Sequence, residues 1–138
     1  MKNDKTTLLL IQRSPDDAAR VRAALGEVGA RRFHLKLANY HPAGAECPDL
    51  AGVDAVLLTV PPSGKPAFDV LCELRTRAPE VPVIALGSAA DGDLAEEAVR
   101  RGAWDRLVSE ELTGDLLARC IRHVIERRGQ LDALRRST

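Results

Sequence analysis

Polar side chains that could do chemistry stand where four apolar runs of this sequence end. Gln12 and Arg13 follow the run TTLLLI, Thr59 lies near the end of DAVLLTV, Ser88 follows VPVIALG, and Ser109 follows RLV. In α/β proteins the carboxyl ends of the strands form the ligand-binding edge of the sheet. Hydroxyls and one arginine suit a phosphate or sulfate, so one hypothesis is that Arg13 and the three hydroxyl residues form a small anion-binding pocket.

Thr59 is not expected to act as a nucleophile. A threonine hydroxyl reacts poorly without a nearby base, and the sequence places no carboxylate or histidine beside it. Asp54 lies at the opposite end of the same strand, ~16 Å away in extended chain. The structural interpretation is that a β-branched residue suits a strand end and that its hydroxyl bonds locally to the following loop.

The histidines and cysteines predict neither a metal site nor a disulfide framework. The three histidines fall in a strand, a loop and the last helix, at separations that match no metal-ligand motif. The three cysteines are odd in number and far apart, which is typical of a reducing compartment. Cys72 and Cys120 are expected in the core because they lie near apolar helical positions, and Cys47 is expected to be the most exposed thiol.

Composition predicts one cytoplasmic domain. The chain has 138 residues, of which 45% are hydrophobic and 29% charged, as in ordinary globular proteins. Lys+Arg and Asp+Glu number 20 each, so nucleic acid is not an expected direct partner. No apolar run approaches the roughly 20 residues of a membrane helix, and the polar N-terminus has no apolar signal region behind it.

Short apolar runs alternate with helical patterns, which predicts an α/β fold with (βα)5 order. Strands joined by helical crossovers run parallel, and helices then cover both faces of the sheet. The expected architecture is a doubly wound, flavodoxin-like, five-stranded parallel sheet. Ser14-Pro15 and Gly29 mark the start and end of the first helix, whereas any helix within 39–52 is short and poorly specified. The strands are expected at 6–11, 33–37, 54–60, 81–87 and 106–108.

One long helix is predicted from Leu112 to the end of the sequence. Its basic residues, Arg119 and Arg122 among them, are expected to form a solvated face. Leu131 and Leu134 continue the apolar pattern at roughly heptad spacing beyond the point where the domain should be closed. We therefore divide the chain into a domain at 1–128 and a helical extension at 129–138, which leads to a further domain or a dimer partner. The apolar residues of this helix are Leu116, Leu117, Cys120, Ile121, Val124, Ile125, Leu131 and Leu134; those expected at a dimer or linker contact are Ile121, Val124, Leu131 and Leu134.

Residues 6–128 resemble the receiver domain of bacterial response regulators. The resemblance is carried by LLLIQRSPDDAARV, DAVLLTV, RAPEVPVIALGS, and EEAVRRGAWDRLVSEEL followed by LLARCIRHVIERR. The most specific part is PEVPVIAL…AVRRGAWDRLV. In that family an aspartate accepts a phosphoryl group from a histidine kinase. Mg²⁺ assists, and an acidic pair after the first strand holds it in part.

The resemblance also implies that the residues needed for phosphotransfer are replaced in this chain. Carboxylates would be the nucleophile and the metal ligands, and a lysine would balance the charge of the phosphoryl group. Arg13 instead places a permanent cation where the metal ion would sit. In this sequence the acidic pair falls on Gln12 and Arg13, the phosphoacceptor on Thr59, the hydroxyl residue on Gly87 with Ser88 beside it, the lysine on Ser109, and the aromatic switch residue on Arg106.

The resulting expectation is a degenerate receiver, or pseudo-receiver, with no enzyme activity, cofactor or bound metal. It would act without phosphorylation, through contacts with other signalling proteins or fused output domains, and as a homodimer through the last helix. Trp104 and Arg106 mark the expected interaction face, because Trp and Arg are enriched at binding hot spots; packing of Trp104 on its neighbours is the structural alternative. Two other functions stay open: a phosphoreceiver with an atypical acceptor, and a domain that binds a small anion or other ligand at the strand ends.

Overall fold

The protein forms a five-stranded parallel sheet with helices on both faces. The structure, a computed structural model, describes residues 5–12, 14–40, 49–91 and 93–137. The strand order is β2-β1-β3-β4-β5, and every pair is parallel. This confirms the predicted α/β fold class. The elements are β1 (Thr6–Gln12), α1 (Pro15–Val28), β2 (Phe33–Asn39), β3 (Ala55–Thr59), α2 (Lys65–Arg77), β4 (Val83–Gly87), α3 (Leu94–Arg100), β5 (Asp105–Val108) and α4 (Gly114–Ser137), with short 3₁₀ turns at Ala30–Arg32, Ala89–Asp91 and Ser109–Glu111.

The core has two layers because side chains alternate across the sheet. Leu57 and Ile84 pack with α1 and α4 on one face, whereas Val56 and Leu58 pack with α2 on the other. β3 is the central strand, and all five of its residues are buried. That burial explains why its sequence reads as a continuous apolar run rather than an alternating one.

Helix α1 begins and ends at the expected residues, but the Ser14 side chain forms no capping hydrogen bond, so this part of the prediction was wrong. Ser14 precedes the helix with extended backbone, Pro15 takes the first turn, and Gly29 follows the helix with φ 108°. Only glycine adopts such a positive φ without strain. The predicted crossover between β2 and β3, including His41 and Cys47, falls largely on 41–48, which lies outside the described residues.

Three apolar residues that were expected to face the core are exposed. Val99 is 37% exposed and Leu116 is 42% exposed, and Cys72 is also exposed. Each is next in sequence to a residue that is fully buried: Leu71, Ala98 or Leu117. Neighbouring residues on a helix point about 100° apart, so only one of each pair reaches the sheet.

Helix α4 continues past the domain core without a break. It spans 24 residues, about 36 Å at the usual rise per residue. Leu131 and Leu134 on its outer half are 41% and 62% exposed. The expected boundary between 128 and 129 therefore lies within one helix. Among the helices of the described ranges, none is long and apolar enough to cross a membrane.

Candidate functional site

The three hydroxyl residues expected at the strand ends lie around one small cavity. This strand-end cavity has a volume of about 80 Å³. Thr59 ends β3, Ser88 follows β4, and Ser109 follows β5, so the parallel sheet brings them to one edge. Arg13 lies outside the described residues. The cavity is lined by Asp17, Arg20, Thr59, Val60, Leu86, Ser88, Ser109 and Glu110.

The Thr59 hydroxyl is a structural group. The residue is 5% exposed, and its Oγ1 donates a hydrogen bond to the carbonyl oxygen of Ile11 at 2.9 Å. The Tyr40 hydroxyl donates to the carbonyl oxygen of Thr59. The structural interpretation of Thr59 is therefore supported, but the expected partner was wrong. The hydroxyl binds the neighbouring strand β1, 48 residues away in sequence, and not its own loop.

Gln12 places a buried, neutral amide at the end of β1. It is 6% exposed, and its side-chain nitrogen donates to Asn39 Oδ1 at 3.1 Å. Its Oε1 has no hydrogen-bond partner among the described residues. A buried amide of this kind brings no negative charge to the cavity.

Gly87 ends β4 at a point where no side chain fits. A Cβ at Gly87 would lie 2.8 Å from the Cβ of Ala95 on α3, closer than real Cβ atoms approach. The close packing of α3 on β4 thus excludes a hydroxyl residue at position 87. The adjacent Ser88 supplies the hydroxyl of this strand end instead.

The carboxylate of Glu110 joins the loops that follow β4 and β5. The Ser88 hydroxyl donates to its Oε2 at 2.6 Å, and the Ala89 backbone N–H donates to its Oε1 at 2.9 Å. Ser88 Oγ also accepts a hydrogen bond from the backbone N–H of Ala90 at 3.2 Å. We call this arrangement of Ser88, Ala89 and Glu110 the Glu110 clasp.

The clasp strongly favours the ionised form of Glu110. The hydrogen bond from Ser88 lowers the pKa of this carboxyl most, and those from the Ala89 and Glu110 backbone N–H groups lower it further. Arg20 adds a smaller attraction. Together these interactions bring the pKa from 4.5 to about 2. Hydrogen bonds to the charged form of an acid act in this direction. The strand-end cavity therefore contains a permanent negative charge at neutral pH.

The carboxylates at the cavity correct one expectation from the sequence. No carboxylate was expected near Thr59, yet Asp17 and Glu110 line the same cavity. The sequence offers one signal for Asp17. It lies three positions before Arg20 on α1, and that spacing places both side chains on one face of the helix. Glu110 directly follows Ser109, but only the loop geometry turns its side chain back to Ser88.

The described donor set does not fit a Mg²⁺ ion, which the receiver-like pattern would imply. Mg²⁺ prefers carboxylate oxygens and water in octahedral geometry. Among the described residues that line the cavity, Asp17 is the one carboxylate outside the clasp. Gln12 offers a neutral amide, Thr59 uses its hydroxyl within the sheet, and both oxygens of Glu110 already accept hydrogen bonds. No group of three or more potential His, Cys, Asp or Glu ligands occurs in the described ranges.

Trp104 and Arg106 lie beside different helices, since Trp104 contacts Arg127 of α4 and Arg106 pairs with Glu96 of α3, and neither lines the strand-end cavity. Trp104 is partly buried against the α1 and α4 side of the core. The guanidinium of Arg127 lies 5.3 Å from the centre of its ring. Arg106 is exposed and forms an ion pair with Glu96 at 3.2 Å.

Two residues proposed for a dimer contact are unavailable for it. Ile121 and Val124 are 2% and 1% exposed because they pack into the core of their own domain. Only Leu131 and Leu134 of the expected set are open to a second helix.

Cys120 on the same helix is also buried, and its thiol donates to Asp105 Oδ2 at 3.4 Å. Burial first, and then Asp105, raise the pKa of that thiol to about 12, so it is not a reactive cysteine.

Comparisons with solved structures decide the kind of fold. NtrX from Brucella abortus superposes with a TM-score of 0.73 at 20% identity, over 94% of this chain and 28% of NtrX. A response regulator receiver domain protein from Clostridium thermocellum superposes with a TM-score of 0.65 at 19% identity, over 91% of this chain and 98% of that one. The chain has the fold of a response regulator receiver domain.

A third solved receiver domain contains a bound metal ion. It belongs to a sensor histidine kinase of Pseudomonas aeruginosa, and its structure has a magnesium ion coordinated in the active-site cleft. The TM-score is 0.62 at 20% identity, with 88% of this receiver-like chain covered and 98% of that one. No family model matches the sequence, and no curated protein is significantly similar to it. The receiver-like chain corresponds to less than a third of NtrX.

Removing the Thr59 hydroxyl is expected to lower stability. Thr59→Val removes the buried hydrogen bond to the Ile11 carbonyl and should reduce the free energy of unfolding by about 1–2 kcal/mol. Thr76→Val is the matched control, because Thr76 is exposed on α2 and should change stability by less than about 0.5 kcal/mol. Urea unfolding followed by circular dichroism measures both. Equal losses in the two variants would contradict the structural role of Thr59.

The Glu110 clasp predicts a specific dependence of stability on pH. The folded pKa lies below the unfolded one, so its contribution is complete above the ordinary value of 4.5 and is lost as pH falls through about 2. The difference in unfolding free energy between wild type and Glu110→Gln should therefore shrink on acidification. The neighbouring substitution Glu111→Gln, which lies outside the clasp, is the matched control for the loss of one carboxylate. A pH-independent difference for Glu110→Gln would contradict the clasp.

Proposed function

We propose that this chain is a pseudo-receiver that acts without phosphorylation, as a protein–protein interaction module in bacterial signal transduction. The single observation that supports this most is the Glu110 clasp at the carboxyl edge of the sheet. A receiver-like fold supplies the surface, and a carboxylate of the chain itself occupies the hydrogen-bond donors at the strand ends. Fold and site chemistry are separate demands on a sequence, so the scaffold can persist without phosphotransfer. The cytoplasmic location expected from the sequence stays a prediction.

Electrostatics at the strand-end cavity oppose an incoming phosphoryl group. Glu110 is ionised there, and its negative charge repels an incoming phosphoryl group. Thr59, at the expected acceptor position, uses its hydroxyl proton in the bond to Ile11. Gln12 adds no charge that would gather a metal ion. These features support a domain held in one state, or switched by a partner.

The two alternative functions place a further demand on the site. Phosphorylation of Thr59 would require its buried hydroxyl to leave Ile11 and a base to accept the proton. Binding of a small anion by Ser88 and Ser109 would require the anion to displace Glu110 from Ser88 and Ala89. The first alternative therefore begins with breaking the hydrogen bond between Thr59 and Ile11, and the second begins with opening of the Glu110 clasp.

Helix α4 is the proposed route to output. NtrX is more than three times longer than the part that this chain matches, and by analogy we propose that α4 leads into an output domain or pairs with a second copy. Its exposed leucines, Leu131 and Leu134, would form the contact. Trp104 and Arg106 are proposed as a separate face for a signalling partner, since an aromatic ring beside exposed arginines is typical of binding hot spots.

The absence of phosphotransfer is tested by labelling. Incubation with acetyl phosphate and Mg²⁺ should give no phosphorylated species by intact-protein mass spectrometry, because no carboxylate occupies the acceptor position at Thr59. The Pseudomonas aeruginosa receiver domain, in which magnesium is coordinated, serves as the positive control. Stoichiometric labelling of this chain under the same conditions would refute the proposal.

Pairing through α4 is tested by a matched pair of substitutions. The chain should sediment as a dimer, and Leu131→Asp should sediment as a monomer because it places a charge in the proposed contact. Gln130→Asp introduces the same charge at the neighbouring exposed position and should leave the dimer intact. Analytical ultracentrifugation measures all three. A wild-type chain that stays monomeric at every concentration would contradict pairing.

A further inference from the structure

A second and larger cavity lies at the opposite edge of the sheet from the Glu110 clasp. It has a volume of about 720 Å³ and opens beside Thr6 and Phe33, where the amino ends of β1 and β2 pair. Its other wall is the stretch of α4 from Asp115 to Glu126. We call this cavity the basic groove.

Cations dominate the rim of the basic groove. Arg31 and Arg32 lie on the turn before β2, Arg119 and Arg122 lie on α4, and Lys5 precedes β1. Within the described part of the chain, Arg31, Arg119 and Arg122 form no ion pair with another residue. The excess is local, because the whole sequence has equal numbers of basic and acidic residues. The sequence had suggested that Arg119 and Arg122 form only a solvated face. In the structure they also line this groove.

The floor of the basic groove is apolar. Phe33 and Ile125 are partly buried and pack on the core, and Ile121 behind them is 2% exposed. The guanidinium of Arg32 lies 5.9 Å from the centre of the Phe33 ring, so cationic and apolar surfaces meet at one point. Such a surface complements a partner that combines negative charge with a large apolar side chain.

The dimensions of the groove favour a short extended segment. The wall from Asp115 to Glu126 is about 16 Å long at the rise of an α-helix. An extended chain covers about 3.3 Å per residue, so about five residues span the wall. Two acidic residues, Asp115 and Glu126, lie at the two ends of this wall and leave the arginines between them.

We infer that the basic groove binds an extended acidic segment of a partner protein, about five residues long, with an apolar side chain seated on Phe33 and Ile125. Carboxylates of the segment would pair with Arg31, Arg119 and Arg122. This inference does not depend on whether the strand-end cavity accepts phosphate, since the two sites lie at opposite edges of the sheet.

Nuclear magnetic resonance of the ¹⁵N-labelled full chain tests the inference with the capped peptide EELFEE as the probe. The peptide should shift the amide signals of Phe33, Ile121 and Ile125, and not those of Ala89 or Glu110. The peptide KKLFKK, which has the same apolar centre and the opposite charge, should leave the spectrum unchanged. Added salt should weaken binding of EELFEE because the contacts are between exposed charges.

Charge-reversal variants assign the binding to the groove. Arg122→Glu should raise the Kd for EELFEE by about fivefold or more, as expected for loss and reversal of one charge contact. Arg119→Glu should do the same, whereas Arg22→Glu, an exposed arginine on α1 outside the groove, should leave the Kd within about twofold.

Three results would overturn the inference. They are no shift with EELFEE, shifts confined to another surface, and equal weakening by Arg22→Glu and Arg122→Glu. Groove signals that move with protein concentration alone would instead assign the groove to a second copy of the chain and would also overturn it. None of these results bears on labelling by acetyl phosphate, so the two proposals fail separately.

Discussion

One carboxylate organises the edge of the sheet where the chemistry of this fold would be expected. Glu110 accepts hydrogen bonds from the Ser88 hydroxyl and the Ala89 backbone N–H, and so ties the loop after β4 to the turn after β5. Its negative charge is fixed by those bonds and assisted by Arg20. The chain thereby supplies the acceptor for these donors from its own sequence.

The core of the fold does not depend on the side chains at this edge. β3 is buried along its whole length, and the two core layers depend on apolar residues such as Leu57 and Leu58 rather than on the strand ends. Thr59 even contributes to the sheet, because its hydroxyl links β3 to β1. The side chains at the cavity can therefore change while the packing of strands and helices is retained.

Much of the fold could be predicted from local patterns, whereas the contacts of the site could not. The continuous apolar run of β3 and the Pro15 and Gly29 signals of α1 gave the correct elements. Val99 was misplaced because a short helix leaves its rotational phase poorly defined. The clasp was missed because Ser88 and Glu110 are 22 residues apart and meet only through two loops. The basic groove was missed for the same reason, since its arginines lie on separate elements.

A crystal structure grown with Mg²⁺ and beryllofluoride tests the central claim most directly. The account predicts that the Glu110 carboxylate stays within hydrogen-bond distance of Ser88 Oγ and the Ala89 N–H, with no ion between Gln12 and Thr59. A magnesium ion coordinated at that edge, with beryllofluoride on the Ser88 and Ala89 donors and Glu110 turned away, would contradict it.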